Sequence, residues 1–526
     1  MTSIVSHARG TGPAAVTPHT LATRAAIDIM AAGGNAVDGA IAANAVLGVV
    51  LPTTCGIGGD LFSMVHTPGA VAPAALNASG RGGSGLDADA MAAAGLTAVP
   101  LYGPEAVTVP GCVDGWEALA ERFGTRPLAE LLEPAIRLAR DGFAVSVELA
   151  AALGRLEQRI SDQPSAAPLY PDGMPPAAGT TIFRPLLAAT LESIALHGRS
   201  AFYEGRVAEA IEQSTGGIVT GADLAANRPD WVEPIGIDVF GTRAWTVPPN
   251  SQGYLTLAAA WLFEQLGVGT DPDDPAFHHA VVECYRAVAW ERDDLVADPR
   301  FAPLPPDLLL DPNRLGGRLD RLRTGRAQLW PAPAPARGGT AYFCTADAAG
   351  MGVSMIQSNF HGIGTGISAG GTGVWLHNRG AGFTLTAGHP NRAAAGKRPL
   401  HTLSPTLWSD SGRLRLLLGT RGGHQQPQYL LQVAALLFHA GLDPADAQAM
   451  PRWEMEHAEA GVSSLIRFEA RVSDAIVSGL EQRGHTVERH PDYPPGWGPV
   501  SIIASGAGGL TAAADPRVTT ATAEVS

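Results

Sequence analysis

The stretch TGRAQLWPAPAPARGG (324–339) runs directly into TAYFCTAD (340–347) and then GVSMIQS (352–358). The first segment is rich in Pro, Gly and Ala and reads as an exposed connector. The other two read as short strands around a turn at Ala348–Met351, a hairpin pattern. Thr340 therefore opens a strand at the end of a linker. A threonine hydroxyl is a poor nucleophile until a base takes its proton, and one solution uses the residue's own α-amine. That amine exists only if the chain is cut between Gly339 and Thr340. Its unperturbed pKa of about 7.7–8.0 suits a base at neutral pH. Taken alone, the junction Arg337-Gly338-Gly339-Thr340 is a weak signal and reads first as a linker followed by a β-branched strand residue.

Upstream, the pattern is helical. LATRAAIDIMAA (21–32) is Ala-rich, with Thr20 as a candidate N-cap, and stops at Gly33-Gly34. Asn35 can cap AVDGAIAANAVLGV (36–49), which is apolar on nearly every face and reads as buried. Asp38 inside it reads as a buried, hydrogen-bonded structural residue. LPTTCGIGGD (51–60) is a Gly-rich turn and LFSMVH (61–66) a strand. Residues 108–124 read as a turn feeding a helix and 127–142 as an amphipathic helix, and further helices fit 185–197, 206–214 and 254–266. Past the junction, Gly-rich loops at 362–373 and 419–424 precede an apolar helix at 428–441. Helices first and strands after a linker suggest an α+β arrangement of layers on a mixed or antiparallel sheet.

Composition excludes several classes. The chain has 526 residues, enough for a sizeable core, and 45% are apolar, a globular value. Its formal charge is −14, so a broad nucleic-acid or anionic-membrane surface is not expected. Lys397 is the single lysine, in Gly396-Lys397-Arg398, which removes the P-loop and kinase readings. No signal peptide or apolar run long enough to cross a membrane is visible. The four cysteines form no CxxC pair. The histidines at 361, 377, 389, 401 and 424 show no i,i+4 helical pairing. The expectation is a cytoplasmic protein with neither metal nor cofactor.

Ordered blocks carry a resemblance. They are GGNAVDGAIAA (33–43), LPTTCGIGGD (51–60), VPGCVDGW (109–116), EPAIRLARDGF (133–143), AFYEGRVAEAI (201–211), GGIVTGADLA (216–225) and VPPNSQG (247–253). After the junction come TAYFCTAD (340–347), GTGVWLHNRGAGF (371–383), GKRPLHTLSPT (396–406), GTRGG (419–423) and ADPR (514–517). Over nearly its whole length the chain resembles the γ-glutamyltransferase family of N-terminal-nucleophile hydrolases. The resemblance implies a four-layer αββα sandwich made as one chain that cuts itself before Thr340. It implies a large piece, 1–339, and a small piece, 340–526, that stay associated as one folded unit. Thr340 would form an acyl-enzyme, with water or an amine releasing the acyl group. Gly422 and Gly423 match the oxyanion loop. Ser358 matches a threonine that supports the nucleophile, and Arg81 an arginine for the substrate carboxylate.

The departures concern the acyl pocket. Where glutamyl-binding members carry a Gln and an acidic pair for the α-ammonium, this chain has His377-Asn378-Arg379-Gly380-Ala381-Gly382. A cation at Arg379 repels an ammonium. A family serine pair becomes His401-Thr402, and a family Asn falls at Phe360, with Asn359 one place earlier. Two substrate readings follow: γ-glutamyl compounds such as glutathione, or carboxylate-bearing amides of the glutaryl, cephalosporin or oxamate type. The implied partner is a small-molecule amide, with a homo-oligomer an open alternative. Two rival readings remain. One is an uncleaved, non-catalytic homologue. The other is a serine hydrolase built on Gly366-Ile367-Ser368-Ala369-Gly370 with Asp410 and His424.

Overall fold

The computed structural model describes residues 5–331, 339–455 and 465–526. Arg337 and Gly338 of the junction lie outside the described residues. Two seven-stranded sheets dominate, and every pairing within them is antiparallel. One sheet runs, in spatial order, through Thr522–Val525, Ala14–Thr17, Gly339–Ala346, Gly352–Phe360, Asp60–His66, Ala74–Ala78 and Asp230–Val232. The other runs through His7–Gly10, Gly509–Ala514, Val500–Gly506, Arg413–Thr420, Thr406–Asp410, Thr242–Thr246 and Ile235–Val239. Each sheet mixes strands from before and after Gly339.

Alternation along the strands builds the layers. Tyr342, Cys344 and Ala346 point into the apolar layer between the sheets, with Phe62, Ile356, Leu407, Leu417 and Ile503. Ala341 and Phe343 point the other way, toward helices such as Thr20–Ala31, Ala36–Val50 and Leu128–Asp141. On the second sheet Leu416, Leu418 and Ile502 meet the helices Tyr254–Leu266, Pro275–Ala289 and Gln426–Ala434. The result is helices, sheet, sheet, helices: the four-layer αββα sandwich.

Local readings hold where a cap or period was explicit. Asn35 caps Ala36–Val50 in a capping box with Asp38, and all fifteen residues of that helix are buried. Asp38 accepts bonds from Asn35 N and from Thr125 N and Oγ1. The first helix is Thr20–Ala31 and its N-cap is His19, whose ring accepts from Leu21 N, so Thr20 is not the cap. The helix read at 428–441 starts at Gln426 and loosens into a π-turn at Ala435–His439.

Candidate active site

Thr340 sits where the strand Gly339–Ala346 leaves regular pairing. Gly339 pairs with Phe360 and Ala341 with Gln357, so Ser358 and Asn359 both oppose Thr340 across a bulge. A bulge re-aims side chains, and here it brings hydroxyls together. Thr340 Oγ1 donates to Ser358 Oγ at 3.1 Å, and Ser358 Oγ donates to the Gly339 carbonyl at 2.7 Å. Phe360 N–H donates back to Ser358 Oγ at 2.7 Å. Phe360 reaches this position with φ at +71°, a left-handed value that costs a non-glycine residue about 1–2 kcal/mol. Thr340 and Ser358 are both 1% exposed.

The neighbouring strand supplies a carboxylate that the sequence reading did not single out. Asp60 opens Asp60–His66 and is the register partner of Ser358. The preceding turn needs Gly58 and Gly59. A Cβ on Gly58 would lie 2.0 Å from Trp375 O, and one on Gly59 2.3 Å from Ser358 O. Asp60 Oδ1 accepts Gly80 N–H at 2.8 Å, and Oδ2 accepts His401 Nε2–H at 3.0 Å with His377 Nδ1 at 3.5 Å. Leu403 N–H donates to His401 Nδ1, which fixes the neutral tautomer. Burial pushes His401 down to about 3, with Arg379 adding to the effect, so it stays uncharged. Burial alone would raise Asp60, but the two histidines outweigh it and hold the carboxylate below its usual range. An Asp after two glycines, opening an otherwise apolar strand, was the available signal.

Arg379 joins this cluster. It is 1% exposed and lies with its guanidinium carbon 3.8 Å from the Phe360 ring centroid. Nη2 donates to Thr402 Oγ1 at 3.3 Å, and Nη1 has no hydrogen-bond partner among the described residues. Burial lowers its pKa to about 9, while Asp60 acts in the opposite direction. Asn359 donates through Nδ2 to Pro52 O at 3.3 Å and leaves Oδ1 unpartnered among the described residues. Gln252, also missed from sequence, donates to Thr402 O at 3.1 Å and Gly423 O at 3.0 Å, tying this pocket to the glycine loop.

That loop follows the strand Arg413–Thr420. Gly422 and Gly423 have φ of +124° and +58°, which glycine adopts without strain. Arg421 and Thr340 line one small gap with Tyr342, Pro499 and Val500, so the loop stands beside the nucleophile. Arg81 is placed differently. Its guanidinium pairs with Asp230 at 3.0 Å and Asp298 at 3.5 Å, in a network with Arg398 and Arg300. Its neighbour Gly80 bonds Asp60, so Arg81 borders the pocket but is engaged by carboxylates of this chain. Ser368 lies in a loop, donates to Gly370 O and accepts from Ser165 N. The strand-to-helix elbow that a serine hydrolase requires is not formed there.

Among the described residues, no helix is long and apolar enough to cross a membrane. Residues 22–525 match the family model described as Gamma-glutamyltranspeptidase. The glutathione hydrolase-like YwrD proenzyme of Bacillus subtilis is 35% identical over 97% of this chain and 97% of its own. The oxamate amidohydrolase proenzyme of Klebsiella pneumoniae is 32% identical over 96% of each. The crystal structure of a cephalosporin acylase from Bacillus halodurans is 33% identical and superposes with a TM-score of 0.89, covering 99% of this chain and 96% of that one. The chain belongs to the gamma-glutamyltranspeptidase family, a family of enzymes with the N-terminal-nucleophile hydrolase fold.

Proposed function

We propose that this chain is a self-processing amide hydrolase and acyltransferase with Thr340 as its nucleophile. The observation that carries the reading is the chain of hydrogen bonds from Thr340 Oγ1 through Ser358 Oγ to the Gly339 carbonyl. Thr340 Oγ attacks that carbonyl carbon, the Gly339–Thr340 C–N bond breaks, and an ester and a free amine result. Water hydrolyses the ester, leaving a carboxylate at Gly339 and an amino terminus at Thr340. The pieces 1–339 and 340–526 stay together because their strands interleave in both sheets.

In the processed enzyme the α-amine takes the Oγ proton as Oγ attacks the substrate amide carbonyl. The N–H groups of Gly422 and Gly423 hold the oxyanion, each donor worth about 2.7–4 kcal/mol in the transition state. Collapse breaks the C–N bond, and the ammonium returns the proton to the departing amine. Water or an acceptor amine then releases the acyl group. Substrates are γ-glutamyl compounds, glutathione-like, or related carboxylate-bearing amides. Thr340→Ala should leave the chain whole and inactive, and Thr340→Ser should retain part of both activities. Thr340→Ala material that is cut or active overturns the reading, as does an active wild-type preparation that is only intact chain. Loss of activity in Ser368→Ala with Thr340→Ala active favours the serine-hydrolase alternative.

A second reading, an acylase or amidohydrolase without γ-glutamyl specificity, is favoured by Arg379. Its Nη1, without a partner among the described residues, suits a carboxylate, while both oxygens of Asp60 are occupied and offer no seat for an ammonium. The names of the oxamate amidohydrolase and cephalosporin acylase relatives support the same preference. Glutaryl and oxamate-type amides should then turn over faster than matched γ-glutamyl amides. Faster γ-glutamyl turnover reverses it.

A further inference from the structure

Arg421 stands directly before Gly422-Gly423, and the chemistry described so far makes no use of its charge. Its backbone is held on both sides. Thr420 Oγ1 lies 3.0 Å from both Arg421 O and Pro499 O, and a Cβ on Gly498 would lie 2.9 Å from Arg421 O. Arg421, Thr340 and Pro18 line one gap of about 10 Å³, room for a single water-sized group. The residue that carries the cation and the residue that carries the nucleophile are therefore neighbours across that gap.

The Arg421 guanidinium pairs at 2.7 Å with Glu148, in the first turn of the helix Val147–Ile160. The pair is unequal, because the arginine side chain is 9% exposed and the glutamate 29%. Water screens the deeper charge less. The two charges are felt on both flanks of the junction. Burial pushes the Cys55 thiol up to about 12, opposed by Thr54, Arg184 and Arg421. Cys55 follows Thr53, whose carbonyl oxygen would lie 3.3 Å from a Cβ on Gly339. Burial lowers His19, next to Pro18, to about 4, and Glu148 acts against it. The other groups around Thr340 are neutral or compensated. His19 is uncharged at neutral pH, and Cys55 and Tyr342 keep their protons. On the second sheet Asp515 borders the gap, but Arg452 and Arg517 bond its two oxygens. On the acyl side Asp60 and Arg379 have opposite charges, and His377 and His401 are uncharged.

We propose that Arg421 is a positioning residue that acts through the α-amine of processed Thr340: its buried cation, tempered by Glu148, keeps that amine in the free-base form at neutral pH. The inference rests on Thr340 being the nucleophile with its own amine as base. A nearby cation disfavours an ammonium, and a nearby carboxylate favours it. An unperturbed terminal amine is only about one-seventh free base at pH 7, and a downward shift of one unit raises that fraction about fourfold. The proton so released goes to solvent, and the amine is then ready to take the proton of Thr340 Oγ. Glu148 sets the limit, since a base made too weak would take that proton less readily. In the uncut chain this nitrogen is an amide, so the effect begins only after processing.

The test is the acid limb of kcat/KM against pH, which reports the base of the free enzyme. The processed enzyme is assayed with the p-nitroanilide of glutaric acid or of the γ-carboxyl of glutamic acid, whichever it turns over. One substrate serves every variant, so its own titration cancels in the comparison. Arg421→Met should move the limb up by about one unit, an extra loss of about tenfold at pH 6 that is absent at pH 9. Glu148→Gln should move it down, by about half a unit because that charge is the more exposed. Arg421→Lys keeps the cation and should leave the limb within about 0.3 unit of wild type. A purely structural role for Arg421 would lower the whole profile without moving the limb, and that result overturns the proposal. So does a limb that Arg421→Met and Glu148→Gln move in the same direction. Should Arg421→Met fail to fold or process, Glu148→Gln decides, and a limb that does not move down overturns the proposal. Failure of the underlying reading looks different: the chain stays whole, or cleavage of the anilide does not depend on Thr340.

Discussion

Replacing Ser358 with alanine removes a side chain that hydrogen-bonds both partners of the proposed self-cleavage. Its hydroxyl donates to the Gly339 carbonyl at 2.7 Å and accepts from Thr340 Oγ1 at 3.1 Å. As Oγ attacks, the carbonyl oxygen gains charge, and a donor already aligned on it strengthens in the transition state. A donor of that kind is worth about 2.7–4 kcal/mol, or roughly 10²–10³ in rate. Ser358→Ala should therefore slow the appearance of the two fragments by that factor. It also strips the Phe360 N–H of its 2.7 Å acceptor, and an unpaired buried donor costs about 1–3 kcal/mol of stability. Ser358→Thr keeps the hydroxyl and should process within about tenfold of wild type, the difference between one lost hydrogen bond and none. The assay is a time course of intact chain and fragments on a denaturing gel, with a urea-unfolding curve for each variant. The reasoning is refuted if Ser358→Ala processes within tenfold of wild type while its stability is lowered as expected.

Arg379→Gln should leave processing intact, raise KM for carboxylate-bearing acyl amides by about 10- to 100-fold and narrow their advantage over γ-glutamyl amides, since a hydrogen bond to a charged group is worth about 1.5–3 kcal/mol. An unchanged KM ratio would remove Arg379 from substrate binding. Burial lowers His19, His278, His279 and His361 to about 4 and His401 and His485 to about 3. The unfolded chain binds protons below about 6.5 where the folded one does not, so stability is full above that pH and falls as pH drops toward 4 and then 3. A urea midpoint equal at pH 7.5 and 5.5 would contradict this. Gly419→Ala puts a Cβ 2.0 Å from the Tyr342 ring between the sheets. It should lower the melting temperature through about 1–3 kcal/mol of overpacking, and an unchanged value would show that the layer can open there.

How much was legible in the chain varies with the range of the interaction. The capping box of Asn35 and Asp38 spans three residues, and the hairpin of Gly339–Ala346 with Gly352–Phe360 spans a short turn, so local rules reached both. Helix starts set by rings, such as His19, escaped those rules because histidine is a rare N-cap. Thr340, Ser358 and the Gly422-Gly423 loop were found through motif blocks in order. The structure brings Thr340 and Ser358 into contact and sets the loop beside them, while Arg81 is held by Asp230 and Asp298.

By itself the sequence determined the family and the layer class, and it offered Gly339–Thr340 as the expected junction and Arg379 as a cation in the block expected to face the acyl group. Each is written in residue type and short spacing. Only the tertiary structure decided that Asp60 meets His401 across 341 positions of chain, that Gln252 joins Thr402 to Gly423, and that Arg379, over Phe360, keeps a donor with no partner among the described residues. Those contacts depend on which strands become neighbours. Strand order is fixed by burial of two sheet faces at once, a condition that no single segment of the chain carries.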